Sequence, residues 1–157
     1  MNDDDISYEI CNKKFNFRVG VFIYDDENCI FEKSKSNDYY SLIGGRVKIG
    51  ENTEETAIRE VFEETGIKLN KSQLKLINVI ENFFTFRDKK FHEVLFIYKY
   101  KLNNISAYAN TNVLDKDNTK IKMIKLNELK LFNLKPDLIK DFKCSQKLKH
   151  YINNGEK

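Results

Sequence analysis

The sequence has no tryptophan, one proline (Pro136), six glycines, two histidines and three cysteines. Each shortage excludes something. His92 and His150 cannot supply a histidine-rich metal centre. Cys11, Cys29 and Cys144 form no CxxC pair and no even-numbered framework, so neither a zinc site nor a disulfide scaffold is signalled. Idle thiols in a reducing compartment are the expectation. No apolar run approaches the roughly 20 residues of a membrane-spanning helix. The start, MNDDDISYEI, is acidic and lacks the apolar stretch of a secretory signal. A cytoplasmic location with no membrane partner is therefore expected. Charge excess is missing too. A formal net charge of +3 gives no strong nucleic-acid signal, though it suits a small anionic ligand.

What is present is an ordinary globular composition, 41% hydrophobic and 32% charged over 157 residues. That length points to a single domain over 1–157, as a monomer or homodimer. Segments 18–25 (RVGVFIYD) and 29–34 (CIFEKS) read as a hairpin across the turn-prone DDEN. A short strand, YYSLIGG, ends in a glycine pair. Strands follow at 74–86 and 91–102, and another at 120–129 runs into a helical turn. Residues 103–118 are polar and aperiodic, a loop. Pro136 opens a predicted last helix over about 137–153, with Leu138, Phe142, Leu148 and Ile152 near helical spacing. Strands dominate around one central and one terminal helix, so the expected class is α/β in packed layers.

The central helix is predicted from Thr53 to Thr65. Asn52 and Glu55 form a capping-box pattern, and Gly66 suits a left-handed cap. Ile58, Val61, Phe62 and Thr65 form its expected apolar face, with Glu60, Glu63 and Glu64 opposite. Arg59 is expected to point aside, leaving the acidic face without a neutralising partner. Like charges at such spacings repel. A solvated surface face is the ordinary explanation. Grouped carboxylates beside the glycine-rich IGGRVKIGE, with Glu51 just before the helix, instead suit a hard divalent cation. Magnesium fits, since it takes oxygen ligands and is shared with substrate phosphates.

The stretch GRVKIGENTEETAIREVFEETGI, residues 45–67, resembles the Nudix box, G-x5-E-x7-R-E-U-x-E-E-x-G-U with U aliphatic. Gly45, Glu51, Arg59, Glu60, Val61, Glu63, Glu64, Gly66 and Ile67 fill every defined position. Chance would match it on the order of one time in a billion per starting position. One departure is Ile43, where family members often have proline. The resemblance implies a Nudix-type α/β/α sandwich with a mixed central sheet. It implies magnesium- or manganese-dependent hydrolysis of a nucleoside diphosphate linked to another group. By that resemblance Glu60, Glu64 and Glu63 are metal ligands, joined by the Gly44 carbonyl, while Arg59 and Glu51 are a supporting pair. A carboxylate takes the proton from water. Glu60 is the first choice for that base and Glu93 the second, with Glu63 also in the catalytic set.

Outside the box, alternation puts Glu93 on the face of Phe91, Leu95 and Ile97. A buried carboxylate there needs a partner. Either it pairs with a lysine or arginine, or it is a fourth acidic ligand or base, as in some family members. Arg18 and Arg46 read as surface ion pairs or as phosphate-binding groups. Phe84, with Phe83 and Phe86, is either core or a platform for a nucleobase. His92 reads as structural. Asn82 stands where ADP-sugar hydrolases of the family tend to have proline, and Phe83 and Phe84 where dinucleoside-polyphosphate hydrolases tend to have tyrosine. What remains is a small MutT-like hydrolase of nucleoside triphosphates or a related nucleotide. A non-catalytic nucleotide-binding domain, or a hydrolase of dinucleoside polyphosphates or ADP-ribose, is the alternative. An isopentenyl-diphosphate isomerase on the same fold lacks its histidines here.

Overall fold

The strand β2 (Lys13–Tyr24) organises the molecule, here a computed structural model describing residues 4–155. Its sequence, KKFNFRVGVFIY, is rich in aromatic and β-branched side chains, and Val19 and Val21–Tyr24 are buried. Period-two alternation sends Val19, Val21 and Ile23 into one apolar cluster and Phe22 and Tyr24 into another. Burial on both faces is the mark of a central strand.

Around it lie β1 (Ser7–Ile10), β3 (Asn28–Ser34), β4 (Tyr40–Ser41) and β5 (Ile43–Arg46). The helix α1 (Thr53–Thr65) follows, then β6 (Lys75–Phe86), β7 (Lys89–Lys101), β8 (Thr119–Lys125), β9 (Leu134–Lys135) and β10 (Lys149–Asn154). Among the described residues these strands form one sheet in the order β10-β6-β7-β2-β3-β4-β9, with β1 and β5 also on β2 and β8 on β3. β2 runs parallel to β7 but antiparallel to β1, β3 and β5, so the sheet is mixed, as expected.

α1 covers one face. Ala57 and Val61 join Val19, Val21 and Ile23 in the first cluster. The second cluster is closed by Leu129 and Ile139 from short 3-10 turns at Leu126–Leu131 and Asp137–Asp141, with Phe142 packed against it. Phe142 packs tilted against Phe22, 4.0 Å between ring centroids. The class is α/β, with a helix on one side of the sheet and turns on the other.

The predicted terminal helix over 137–153 is not formed. A 3-10 turn ends at Asp141, and β10 pairs in parallel with β6. Leu148 and Ile152, which a helix would have turned inward, are each 58% exposed. Without a continuous apolar stripe a helix gains little by docking. The free edge of β6 offers backbone groups that a strand can pair. The 103–118 segment is irregular as expected, yet it buries Ile105 and Val113 in the first cluster.

Candidate active site

α1 begins and ends where its caps dictate. The Asn52 side chain accepts from the Glu55 amide at 3.0 Å, and the Glu55 carboxylate accepts from the Asn52 amide at 3.0 Å. Gly66 closes the helix at φ 76°. The helix faces differ from expectation. Thr56, Ala57, Glu60, Val61 and Glu64 are its buried residues, whereas Phe62 is 48% exposed beneath the Lys68 ammonium. Two of the three glutamates of the expected acidic face, Glu60 and Glu64, therefore point inward. The reason is the glycine pair beneath them. A Cβ on Gly45 would lie 2.4 Å from the Glu60 carboxylate, and one on Gly44 would lie 2.1 Å from the Val19 carbonyl. Bare backbone at Gly45 gives the Glu60 carboxylate its place against β5, while Gly44, at φ 152°, lets β5 lie close against β2.

The buried carboxylates are partnered, again unlike the expectation. Arg59 does not point aside. Its Nε donates to Glu51 at 2.7 Å, and its Nη1 donates to Glu60 at 2.7 Å and Glu63 at 3.1 Å, an i,i+4 pair. Nη2 donates to Glu51 and to the Arg46 carbonyl. The hydrogen bonds from Arg59 hold the Glu51 carboxyl well below its ordinary range, at about 2. Glu60 shifts the other way, because burial outweighs its bond to Arg59. Glu64 is pushed up to about 8, first by burial and then by the nearby Glu32 charge, with Lys116 opposing.

The Gly44 amide donates to Glu64 Oε2 at 3.1 Å. The Lys116 ammonium donates to Glu64 Oε1 and, at 2.8 Å, to Glu32 Oε2. A cleft of about 270 Å³ opens here, lined by Asp5, Arg18, Gly44, Gly45, Arg46, Glu60, Glu64 and Lys116.

The structure brings together Glu60, Glu64, Gly44, Arg18 and Arg46 from the sequence reading, with Glu51 and Arg59 behind them. It does not gather the rest. The Glu63 side chain is 44% exposed and tied to Arg59. Glu93 is buried but does not line the cleft. Its Oε2 lies 3.7 Å from Arg18 Nη1, and Asn82 donates to its Oε1 at 3.4 Å. Phe84 stacks on Phe91 at 4.8 Å, also outside the cleft lining. Arg46 is steadied by Asp5 at 3.4 Å and Asn16 at 3.3 Å. Glu32 and Lys116 were missed. Glu32 carried a signal, since it shares the inward face of Ile30 in CIFEKS. Lys116 carried none, being one lysine in a polar loop.

The cleft's oxygen donors suit a hard cation. Glu64 is 0% exposed and Glu60 9%, and both edge the same cleft. A lysine ammonium already supplies positive charge to Glu64, so the seat favours a cation. Among the described residues no group of three acidic, histidine or cysteine side chains is gathered closely enough to ligate. A metal ion here would require side chains to shift.

A NUDIX domain model matches residues 14–145, most of the chain. The chain belongs to the NUDIX family. Membership makes it a hydrolase acting on phosphoric anhydrides, of a family that generally uses divalent metal ions. Solved structures of similar fold include the mMutator MutT protein of Bacillus halodurans, at 17% identity and TM-score 0.68, covering 90% of this chain and 93% of that one. The MutT NUDIX hydrolase of Burkholderia pseudomallei matches at 21% identity and TM-score 0.56, covering 71% and 84%. The E. coli ORF135 protein matches at 14% and 0.53, covering 84% and 89%. At such identities the likeness is one of fold. Among the described residues no helix is long and apolar enough to cross a membrane.

Proposed function

We propose that this NUDIX hydrolase cleaves nucleoside triphosphates, releasing pyrophosphate, with magnesium or manganese held by Glu60 and Glu64. The observation that carries the reading is the cleft itself. Two buried carboxylates share it with Arg18, Arg46 and Lys116, three cations suited to a polyphosphate.

When bound, the metal ion screens phosphate charge and acidifies water. The chain's own groups do the rest. Arg18 and Arg46 draw the phosphates in and orient them. Asp5 and Glu93 hold those arginines, so Glu93 serves as the ion pair and not as the base. Glu60 edges the cleft and, with burial raising its proton affinity, accepts the proton from the attacking water. Glu51 fixes Arg59, and Arg59 aims Glu60. Glu63 restrains Arg59 from the solvent side.

The test is a hydrolysis panel of nucleoside triphosphates, ADP-ribose, dinucleoside polyphosphates and sugar nucleotides, with and without magnesium. Triphosphates should turn over fastest, giving monophosphate and pyrophosphate, and EDTA should stop the reaction. Preference for another class would overturn the substrate, and metal-independent turnover would overturn the mechanism.

A further inference from the structure

Lys116, like Asp5 and Arg18, lines the cleft from outside the box. It arrives from the irregular 103–118 segment, far from the box in sequence. Its ammonium bridges two carboxylates on different elements, Glu64 of α1 and Glu32 of β3. The Glu32 side chain is only 11% exposed, and its other oxygen accepts from Ser41 Oγ at 3.2 Å. One ammonium thus faces two carboxyl groups at once. A lysine is a compact point charge on a flexible stem, so it can leave without disturbing the backbone. There is also somewhere for it to go. Lys116 lines a second cavity of about 500 Å³, which Lys35 and Lys120 also line. It forms part of the wall of both spaces.

We infer that the Lys116 ammonium holds the place of a divalent cation between Glu64 and Glu32. On metal loading it yields that place, Glu32 becomes a carboxylate ligand beside Glu64, and Lys116 turns to bind the substrate's outer phosphates with Lys35 and Lys120. This rests on the reading of Glu64 as a metal-binding residue. The empty-handed enzyme thereby avoids an unpaired buried carboxylate, which is expensive. Metal and phosphate binding are coupled through one side chain.

The experiment is calorimetric titration of Mn2+ alone, without nucleotide, into the EDTA-stripped full chain. Lys116→Met removes the competing charge and keeps the stem. It should bind Mn2+ about tenfold more tightly than the unaltered chain, the scale of one charged hydrogen bond. Adding Glu32→Gln in that background should take most of the gain away. With Mn2+ saturating, the KM of Lys116→Met for a nucleoside triphosphate should rise by more than kcat falls.

Should Lys116→Met fail to fold without metal, the unaltered chain still decides. Its Lys116 ammonium resonance, protected by two carboxylates, should vanish or shift as Mg2+ is added. Equal Mn2+ affinity in the two proteins, or an unmoved resonance at saturating Mg2+, overturns this inference and leaves the proposed hydrolase standing. Absence of Mn2+ binding in both proteins overturns the two together.

Discussion

Arg59 shows how much one side chain arranges at the residue scale. It clamps Glu51, Glu60 and Glu63 at once, turning repelling carboxylates into a fixed array. Glu64→Gln keeps the shape and loses the charge. It should lower metal-dependent turnover by at least about a hundredfold, an order typical of removing a preorganised charged group, while circular dichroism stays native. Stability should report two carboxyls in opposite senses. Glu51 titrates at about 2 in the folded chain, below its ordinary 4.5, so its contribution is full above pH 4.5 and fades as pH falls toward 2. Glu64 titrates at about 8, so without metal the folded chain keeps a proton that the unfolded chain has lost. That contribution is full below pH 4.5 and fades as pH rises to 8. Denaturant midpoints in EDTA should therefore show an acid-side slope that Glu51→Gln flattens and a neutral-side slope that Glu64→Gln flattens. The box residues were legible because family chemistry fixes their spacing. Their partner Lys116 was not, being one lysine in a polar loop far from the box, while Glu32 showed only as a carboxylate on the inward face of CIFEKS, with nothing to say what it pairs with.

At the element scale, α1 was legible to its last residue. Its caps are local chemistry, and Asn52→Ala should cost about 1 kcal/mol in urea unfolding. Its orientation was not legible. Hydrophobicity placed Phe62 inward and Glu60 and Glu64 outward, but the bare Gly45 backbone makes room for the Glu60 carboxylate and the Gly44 amide donates to Glu64. Gly45→Ala tests that reason. Its Cβ would collide with the Glu60 carboxylate, so Mn2+ affinity and turnover should both fall sharply. Unchanged Mn2+ binding in that variant would show that close approach is unnecessary. The 137–153 segment was misread for a related reason. Its few apolar residues mimic helical spacing, while the deciding interaction is with the backbone edge of β6, to which side-chain periodicity is blind.

At the scale of the whole molecule, the strand-rich sequence pointed to α/β in packed layers and the Nudix resemblance implied a mixed sheet; β2, buried on both faces and pairing both ways, delivers the two. The first cluster carries α1 and so positions Glu60 and Glu64. The second is sealed by turns that contribute Leu129 and Ile139. Ile139 is 1% exposed, and Ile139→Ala should cost about 3 kcal/mol of unfolding free energy, the usual range for emptying such a site. The cleft lies apart from that seal, so at low temperature this variant should retain its Mn2+ affinity.

Anomalous diffraction from a crystal soaked in Mn2+ tests the central claim most directly. The account predicts a single strong peak bounded by Glu60 and Glu64, with the Lys116 ammonium withdrawn from Glu64. A peak elsewhere, or both glutamates still held by Arg59 and Lys116 with no ion between them, would contradict it.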